Sequence, residues 1–409
     1  MDLKQIRIKE FPEVERITFL DAACVSFAPQ RAVKALTDFA NYCARNDEES
    51  SSAHHLGMDA KRNKAYAEAA KLLNADLEEV ALVESTTHGL NIAATSLPLN
   101  EGDKVLTTSL EFLQVAMPWC MMRRKKGIKV EVVPGRNGRF ETEDFERAID
   151  SKTKLIVLSS VEWCNGWKID LKELGGLCKE RGIYLVVDAV QHLGVNKLDV
   201  KEAHIDIMTA GGHKWLNSPF GTGVLYVNKE LISQIDPAFW GYLNVKEPEG
   251  GWPAYFGNPN ISPVNDWVFP DTARKFEIGG TSNYPGAIAI RESMSLVNEI
   301  GIEIIEKHVF ELTEYAMEKL REVGATLITH ADKKHRSGII VFRFYDSMDE
   351  ERKLLNELHE NNVYVAMRFT SNIGGIRVSC HYYNLKEDID RLVEVLKTAA
   401  DKKRPDFKR

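Results

Sequence analysis

Short apolar blocks recur along the first half of the chain, and segments with helical spacing separate them. Residues 105–108, 155–159, 184–187, 205–209 and 223–227 read as buried strands, and 79–83 as a further one. Residues 31–45 place Val33, Leu36, Phe39, Ala40 and Cys43 at helical intervals. Residues 171–181 do the same and stop at Gly182, a residue suited to a left-handed C-cap. Alternation of strand and helix predicts a mainly parallel sheet covered on both faces.

The rhythm breaks at residues 236–275, which hold six of the 14 prolines, four glycines and the aromatics Trp240, Trp252, Tyr255, Phe256 and Trp267. A loop of this length is usually functional or an interaction surface, although an ordered insertion without a catalytic part fits equally well. After Gly286 two amphipathic helices are expected, near 287–297 and 302–323. A strand (338–344), a helix (350–361), a strand (375–380) and a helix (386–397) follow, which reads as a smaller α+β domain.

Composition narrows the class. The chain has 409 residues, 44 % hydrophobic and 28 % charged, which suits a globular protein with a large core. Its formal net charge of -7 argues against a nucleic-acid partner. No apolar run approaches the roughly 18 residues of a membrane span. The charged start lacks the apolar centre of a signal peptide, so a cytoplasmic location is expected. None of the six cysteines forms a C-x-x-C pair, and no metal site is expected.

Residues 183–227 carry the most chemistry. A strand ends there in Asp188, and open α/β sheets bind ligands at the carboxyl ends of strands. The next strand leads into Gly211-Gly212-His213-Lys214-Trp215, where the glycines leave a lysine amine room to meet a carbonyl. Pyridoxal 5'-phosphate (PLP) chemistry needs this pair: an amine that condenses with the aldehyde, and a carboxylate that keeps the pyridine nitrogen protonated. Gln191 follows at a spacing that reaches the ring hydroxyl. Taken alone, Asp188 serves as well as a helix cap, and Lys214 as a solvated lysine.

Other segments shift that balance. Ser85, Thr86, Thr87 and His88 open a helix directly after a strand, where free N–H groups suit a phosphate. Simple N-capping accounts for the same residues. Phe112 follows the 105–108 strand, placed either to stack on a pyridine ring or to join the core. Trp163, Cys164, Asn165 and Gly166 follow the 155–159 strand in the same kind of position. Four such loops converge on one edge of one sheet.

On these residues the sequence resembles the class V aminotransferase family, which includes cysteine desulfurases, isopenicillin N epimerase and kynureninase. The resemblance runs from about Phe19 to the last helix. It is most specific in D-A-x-Q…H-K-W…G-T-G-x-L-Y, here Asp188, Gln191, His213, Lys214, Trp215 and residues 221–226. It implies PLP as cofactor and the type I fold of PLP-dependent transferases, with a mainly parallel seven-stranded sheet between helices. Residues 18–284, including the 236–275 insertion, would form the large domain, and 1–17 with 285–409 the small one.

The resemblance also implies roles. Lys214 is the Schiff-base lysine, Asp188 pairs with the pyridine nitrogen, and Gln191 contacts the phenolic oxygen. Thr86, Thr87 and His213 look like phosphate ligands. Thr281 resembles the residue that reaches the phosphate from a second subunit, which implies a homodimer with shared active sites. Arg377 matches the arginine that holds the carboxylate of an amino-acid substrate; a surface strand arginine is its plainer reading. Departures point the other way from desulfurases. Phe112 stands where they place a histidine, Trp163 where they place an asparagine, and Gly211 replaces a serine. Their nucleophilic cysteine is absent from residues 368–375, expected to be a loop.

Three functions follow as expectations. The first is a PLP enzyme acting at the α-carbon of an amino acid, by transamination or epimerisation, closest to the isopenicillin N epimerase-like branch. The alternative is C–S lyase or cysteine desulfurase-like β-elimination, with Cys24 and Cys164 in segments that could face the site. The third is a catalytically silent PLP-binding protein.

Overall fold

The computed structural model describes residues 2–403. Its strands, numbered in chain order, are β1 (Thr18–Phe19), β2 (Val80–Val83), β3 (Lys104–Thr108), β4 (Lys129–Val133), β5 (Thr153–Ser159), β6 (Tyr184–Asp188), β7 (Ile207–Gly211), β8 (Gly223–Val227), β9 (Thr326–Leu327), β10 (Ile339–Arg343), β11 (Val363–Tyr364), β12 (Ala366–Thr370) and β13 (Ile373–Ser379). Strands β2 to β8 form one sheet of order β2-β8-β7-β6-β5-β3-β4. Only β8 is reversed; it pairs antiparallel with both β2 and β7.

Side-chain alternation explains why this sheet is covered twice. Ile156 and Leu158 of β5 enter one apolar cluster, and Leu155 and Val157 enter another. Leu185 and Val187 of β6 part from Val186 in the same way. A strand of period two that is apolar at every position needs helices on both faces. Helices Thr86–Ser96 and Leu113–Lys126 cover one face with Leu90, Ile92, Val115 and Trp119. Helices Leu171–Arg181 and Tyr284–Ile300 cover the other with Leu174, Cys178, Ile290 and Met294. Each such side chain contributes about 1.5–3 kcal/mol on burial.

Gly89 sets how closely the first of these helices approaches. A Cβ there would lie 2.1 Å from Thr209 Oγ1 on β7. Only a glycine lets the first helical turn rest on the sheet beside the end of β7.

A second sheet has the order β12-β13-β10-β9 and is antiparallel. It carries the helices Ile302–Glu322, Met348–Glu360 and Lys386–Lys403. One continuous apolar cluster, from Ile6 to Ala399, links the two sheets. Near its start, Arg7 donates to Asp388 Oδ2 at 2.5 Å and to the Tyr383 carbonyl at 3.0 Å. Ser379 N–H donates to the Leu20 carbonyl at 2.7 Å, which brings Asp21 beside β13.

The sheet agrees with the expected α/β class, and several details differ. The strand expected at 205–209 runs Ile207–Gly211, because Asp206 Oδ2 accepts the Leu185 N–H and His204 has φ +47°, so residues 204–206 form a turn. Strand β4 was not expected: it is an edge strand with mostly exposed side chains and no apolar run. Helix Ser51–Leu73 was also unforeseen, since its apolar residues form no single stripe. Residues 236–275 are irregular apart from a short helix, Gly251–Phe256, and the start of a 3-10 turn, Ala273–Phe276. Among the described residues, no helix is long and apolar enough to cross a membrane.

Candidate active site

The carboxyl ends of β2, β3, β5, β6 and β7 meet at one edge of the sheet, around a cavity of about 320 Å³. Beyond β2 the helix Thr86–Ser96 begins, capped by Ser85, whose side chain accepts the His88 N–H. The Thr86 and Thr87 N–H groups belong to the first turn, where a helix leaves donors free. Thr86 Oγ1 accepts the Gly211 N–H at 2.8 Å, so its own proton is available to the cavity. A Cβ on Gly211 would come within 3.1 Å of both Thr86 Oγ1 and His213 Nδ1. The glycine therefore keeps this anion cradle open.

Asp188 ends β6 and is buried. Burial raises its pKa to about 6, against the Val190 N–H (2.8 Å) and the Lys214 charge, which pull it down. Lys214 lies past β7 in the same cavity. Burial lowers its amine to about 8; Asp188 opposes that shift, and Arg377 adds to it. His213, half-buried and stacked on Phe220, is brought down to about 4 by burial and by Lys214, so it is neutral. Gln191 accepts from the Trp215 indole at 2.8 Å and donates to the Ala23 carbonyl at 3.0 Å. One amide N–H remains for a ring oxygen.

Phe112 packs edge-on against Trp163 (centroids 5.2 Å apart), with Lys214 Nζ 6.0 Å from its ring centre. Trp163 is held by its indole N–H, which donates to the Leu110 carbonyl at 3.1 Å. Arg377 on β13 is 1 % exposed, and burial lowers its pKa despite Asp21. It donates to Asp21 Oδ1 at 3.0 Å and to the Trp163 carbonyl at 3.1 Å, while its Nε has no partner. A buried guanidinium that lines a cavity is matched to a carboxylate.

These residues fit PLP. The helix start offers donors for a phosphate, Asp188 a partner for a pyridinium, Lys214 an amine for an aldehyde, and Phe112 with Trp163 two aromatic walls. Of the residues singled out in the sequence, Thr86, Thr87, Phe112, Trp163, Asp188, Gln191, His213, Lys214 and Arg377 all line this one cavity. Thr281 does not; it is exposed elsewhere on the surface. Cys24 lines the cavity, whereas Cys164 is fully buried, its thiol pushed up to about 12 by burial and by Glu162.

The segment 368–375 departs most from expectation. It is a tight hairpin and not a loop: Thr370 pairs with Ile373, and Ser371 and Asn372 take φ +48° and +63° across the turn. Ser371 donates to the Ser109 carbonyl at 2.8 Å and pins it. Sequence reasoning missed three residues that the hairpin and its neighbours bring in: Arg368, Ser159 and Asp21. Arg368 Nη2 lies 3.6 Å from Cys24 Sγ. Ser159 could have been found, since it ends its strand beside Asp188; Arg368 gave no signal.

Comparison with known proteins bears on the fold and the family. The chain is 27 % identical to a probable cysteine desulfurase of Pyrococcus abyssi over 401 residues, 95 % of each chain. It is 28 % identical to a probable cysteine desulfurase of Staphylococcus epidermidis over 420 residues, 97 % of this chain and 96 % of that one. Among solved structures, a cysteine desulfurase from Thermococcus onnurineus NA1 superposes with a TM-score of 0.84 at 23 % identity, covering 97 % of this chain and 98 % of that one. The cystine C-S lyase C-DES, in complex with its product cysteine persulfide, gives 0.84 at 21 % identity, covering 95 % and 99 %. At these identities both structures show the shared fold. The family model for class-V aminotransferases matches residues 18–392, and the chain therefore belongs to that PLP-dependent family.

Proposed function

We propose that this chain is a PLP enzyme that breaks the Cβ–S bond of cysteine or a related sulfur amino acid by elimination. One observation carries the reading: Lys214, Asp188 and Arg377 line one small cavity, in a chain that matches two proteins named probable cysteine desulfurases over 95 % and 96 % of their length. The cavity lies at the small end of the range for ligand sites, which suits a short amino acid.

PLP, when bound, supplies the electron sink that lets a bond next to the amino group break. The chain's own residues do the rest. Arg377 holds the substrate carboxylate through its remaining Nη protons, steadied by Asp21 and the Trp163 carbonyl. Lys214 Nζ, neutral in part near neutral pH, takes the α-proton and carries it toward the leaving sulfur. Phe112 and Trp163 supply aromatic walls beside that exchange.

The destination of the sulfur follows from the hairpin. Residues 371–372 offer Ser and Asn, and the turn is pinned, so no thiol arrives from there. Purified protein given L-cysteine should yield pyruvate, ammonia and sulfide, with Cys24→Ser keeping most of that activity. Three other products would replace this reading. Alanine with a stoichiometric persulfide on Cys24 means desulfuration with a displaced nucleophile, a route favoured by the thiol's place in the cavity. Amino transfer to pyruvate or 2-oxoglutarate without sulfide means transamination. Deuterium exchange at the α-carbon alone means epimerisation.

We also propose a two-fold homodimer that shares its active sites, because Thr281 lies outside the cavity of its own chain. Mixing Lys214→Ala with Thr281→Ala protein should restore activity, since half of the sites in a mixed dimer would carry neither change. An active monomer by sedimentation would refute the shared site.

A further inference from the structure

Beneath the cavity, two carboxyl groups share one hydroxyl. Thr108 ends β3, and its Oγ1 lies 2.5 Å from Glu162 Oε1 and 3.3 Å from Glu111 Oε1. Glu162 is fully buried, and its Oε2 has no hydrogen-bond partner. Glu111 is better supplied. Its Oε1 accepts the Ser159 backbone N–H at 2.7 Å, and its Oε2 accepts the Ser159 hydroxyl at 2.7 Å.

The count of donors decides where the protons lie. A hydroxyl carries one proton, so Thr108 can donate to one carboxyl only. Were both carboxyls ionised, one of them would face the Thr108 oxygen with no proton between. Glu111 has two other donors, and Glu162 has none. The extra proton therefore belongs on Glu162, and the chain runs from Glu162 Oε1–H to Thr108 Oγ1, and from Thr108 O–H to Glu111.

We propose that Glu162 is a positioning residue: by holding this proton it fixes Thr108, Glu111 and the Ser159 hydroxyl as one oriented chain under the cofactor site. Ser159 is the link to that site. It pairs in register with Asp188 across β5 and β6, and it lines the cavity. With its proton committed to Glu111, it presents lone pairs to the cavity beside the Asp188 carboxylate. The two together make an acceptor surface for the N–H edge of a cationic ring.

The electrostatics lift both glutamates above the ordinary carboxyl range, Glu162 further than Glu111. Burial raises Glu111 to about 8, with Asp188 adding to the rise. Burial and then Glu111 raise Glu162 well above the carboxylate range. The other charged or titratable groups facing the chain are Asp188, which faces Glu111 with Lys214 beyond it, and the Cys164 thiol, which faces Glu162 with Arg377 beyond it. Both glutamates bind protons more tightly in the folded state than in the unfolded one. Their contribution to stability is therefore present at low pH, and it is lost as pH rises from the ordinary carboxyl range through about 8.

Three variants test this. In Glu162→Gln the amide N–H replaces the acid proton on Thr108. It should bind PLP as the parent does, with the same visible spectrum, while the apo-protein loses part of its fall in stability with rising pH. Thr108→Val breaks the chain but keeps the shape. It should weaken PLP binding roughly tenfold, as expected for one lost hydrogen bond in a buried network, and shift the pH titration of the visible band. Glu162→Leu should resemble Thr108→Val. A Gln variant as impaired as the Leu variant would show that Glu162 acts as an anion and overturn the proposal. Parent-like affinity and titration in Thr108→Val would overturn it too, whether or not the Leu variant folds.

Discussion

Lys214→Ala should lower turnover by about 1,000-fold or more, the upper scale for losing a positioned proton carrier that also anchors the reactant. Among the described residues Lys214 is the only lysine that lines the cavity, so no neighbouring amine there can replace it. Its surroundings also set its reactivity. A pKa of about 8 leaves about a tenth of the amine neutral at pH 7, against well under a thousandth for an ordinary lysine. The visible band of the bound cofactor should disappear in the variant or move to that of free aldehyde. Added methylamine should restore part of the proton transfer, because the lost group is small and the cavity keeps its walls. Lys214→Arg should not recover activity, since a guanidinium remains protonated. Steady-state rates with and without methylamine measure the effect; near-parental turnover in Lys214→Ala would remove the residue from the chemistry.

Asp188→Asn is expected to split function from stability. Turnover should fall roughly 100–1,000-fold, the scale for removing one preorganised electrostatic partner from a water-poor site. PLP should still bind, because the donors at the start of helix Thr86–Ser96 are untouched. The apo-protein, in contrast, should gain stability at neutral pH. The folded pKa of Asp188 is raised to about 6, above its unfolded value. Burying its charge therefore costs stability increasingly as pH rises from the unfolded value through about 6, and below the unfolded value that cost is absent. Asparagine keeps the acceptor for Val190 N–H without the charge, so a gain on the order of 3 kcal/mol is expected at pH 7 and well under about 1 kcal/mol at pH 4. Urea unfolding of the apo-protein at both values checks it. Equal stability of the two proteins at pH 7 would mean that the carboxylate is not strained in the absence of cofactor.

The sequence made one half of the site readable because its chemistry sits at strand ends. Asp188 and Lys214 follow strands whose apolar runs are unmistakable, and the end of a parallel strand is where an α/β sheet places ligands. Arg377 is legible only through the family resemblance; its strand pattern alone suits a surface arginine equally well. What stayed hidden depends on pairing between distant segments. Glu111 and Glu162 look like ordinary loop acids, and only the adjacency of β3 and β5 brings them to one Thr108 hydroxyl. Asp21 meets Arg377 because β13 lies against the segment after β1. The 371–372 turn has loop-like residues, yet positive φ at two successive positions makes it a hairpin, as in turns whose twist matches the flanking strands. Edge strand β4 has no buried run to announce it.

The most direct test begins with protein loaded with PLP, reduced with borohydride and digested. Mass mapping should place a single phosphopyridoxyl group on the peptide that contains Lys214, and Lys214→Ala protein treated alike should carry none. A stoichiometric label on any other lysine, or an unlabelled parent protein that had shown full occupancy before reduction, would contradict the assignment of Lys214 and with it the mechanism built on this cavity.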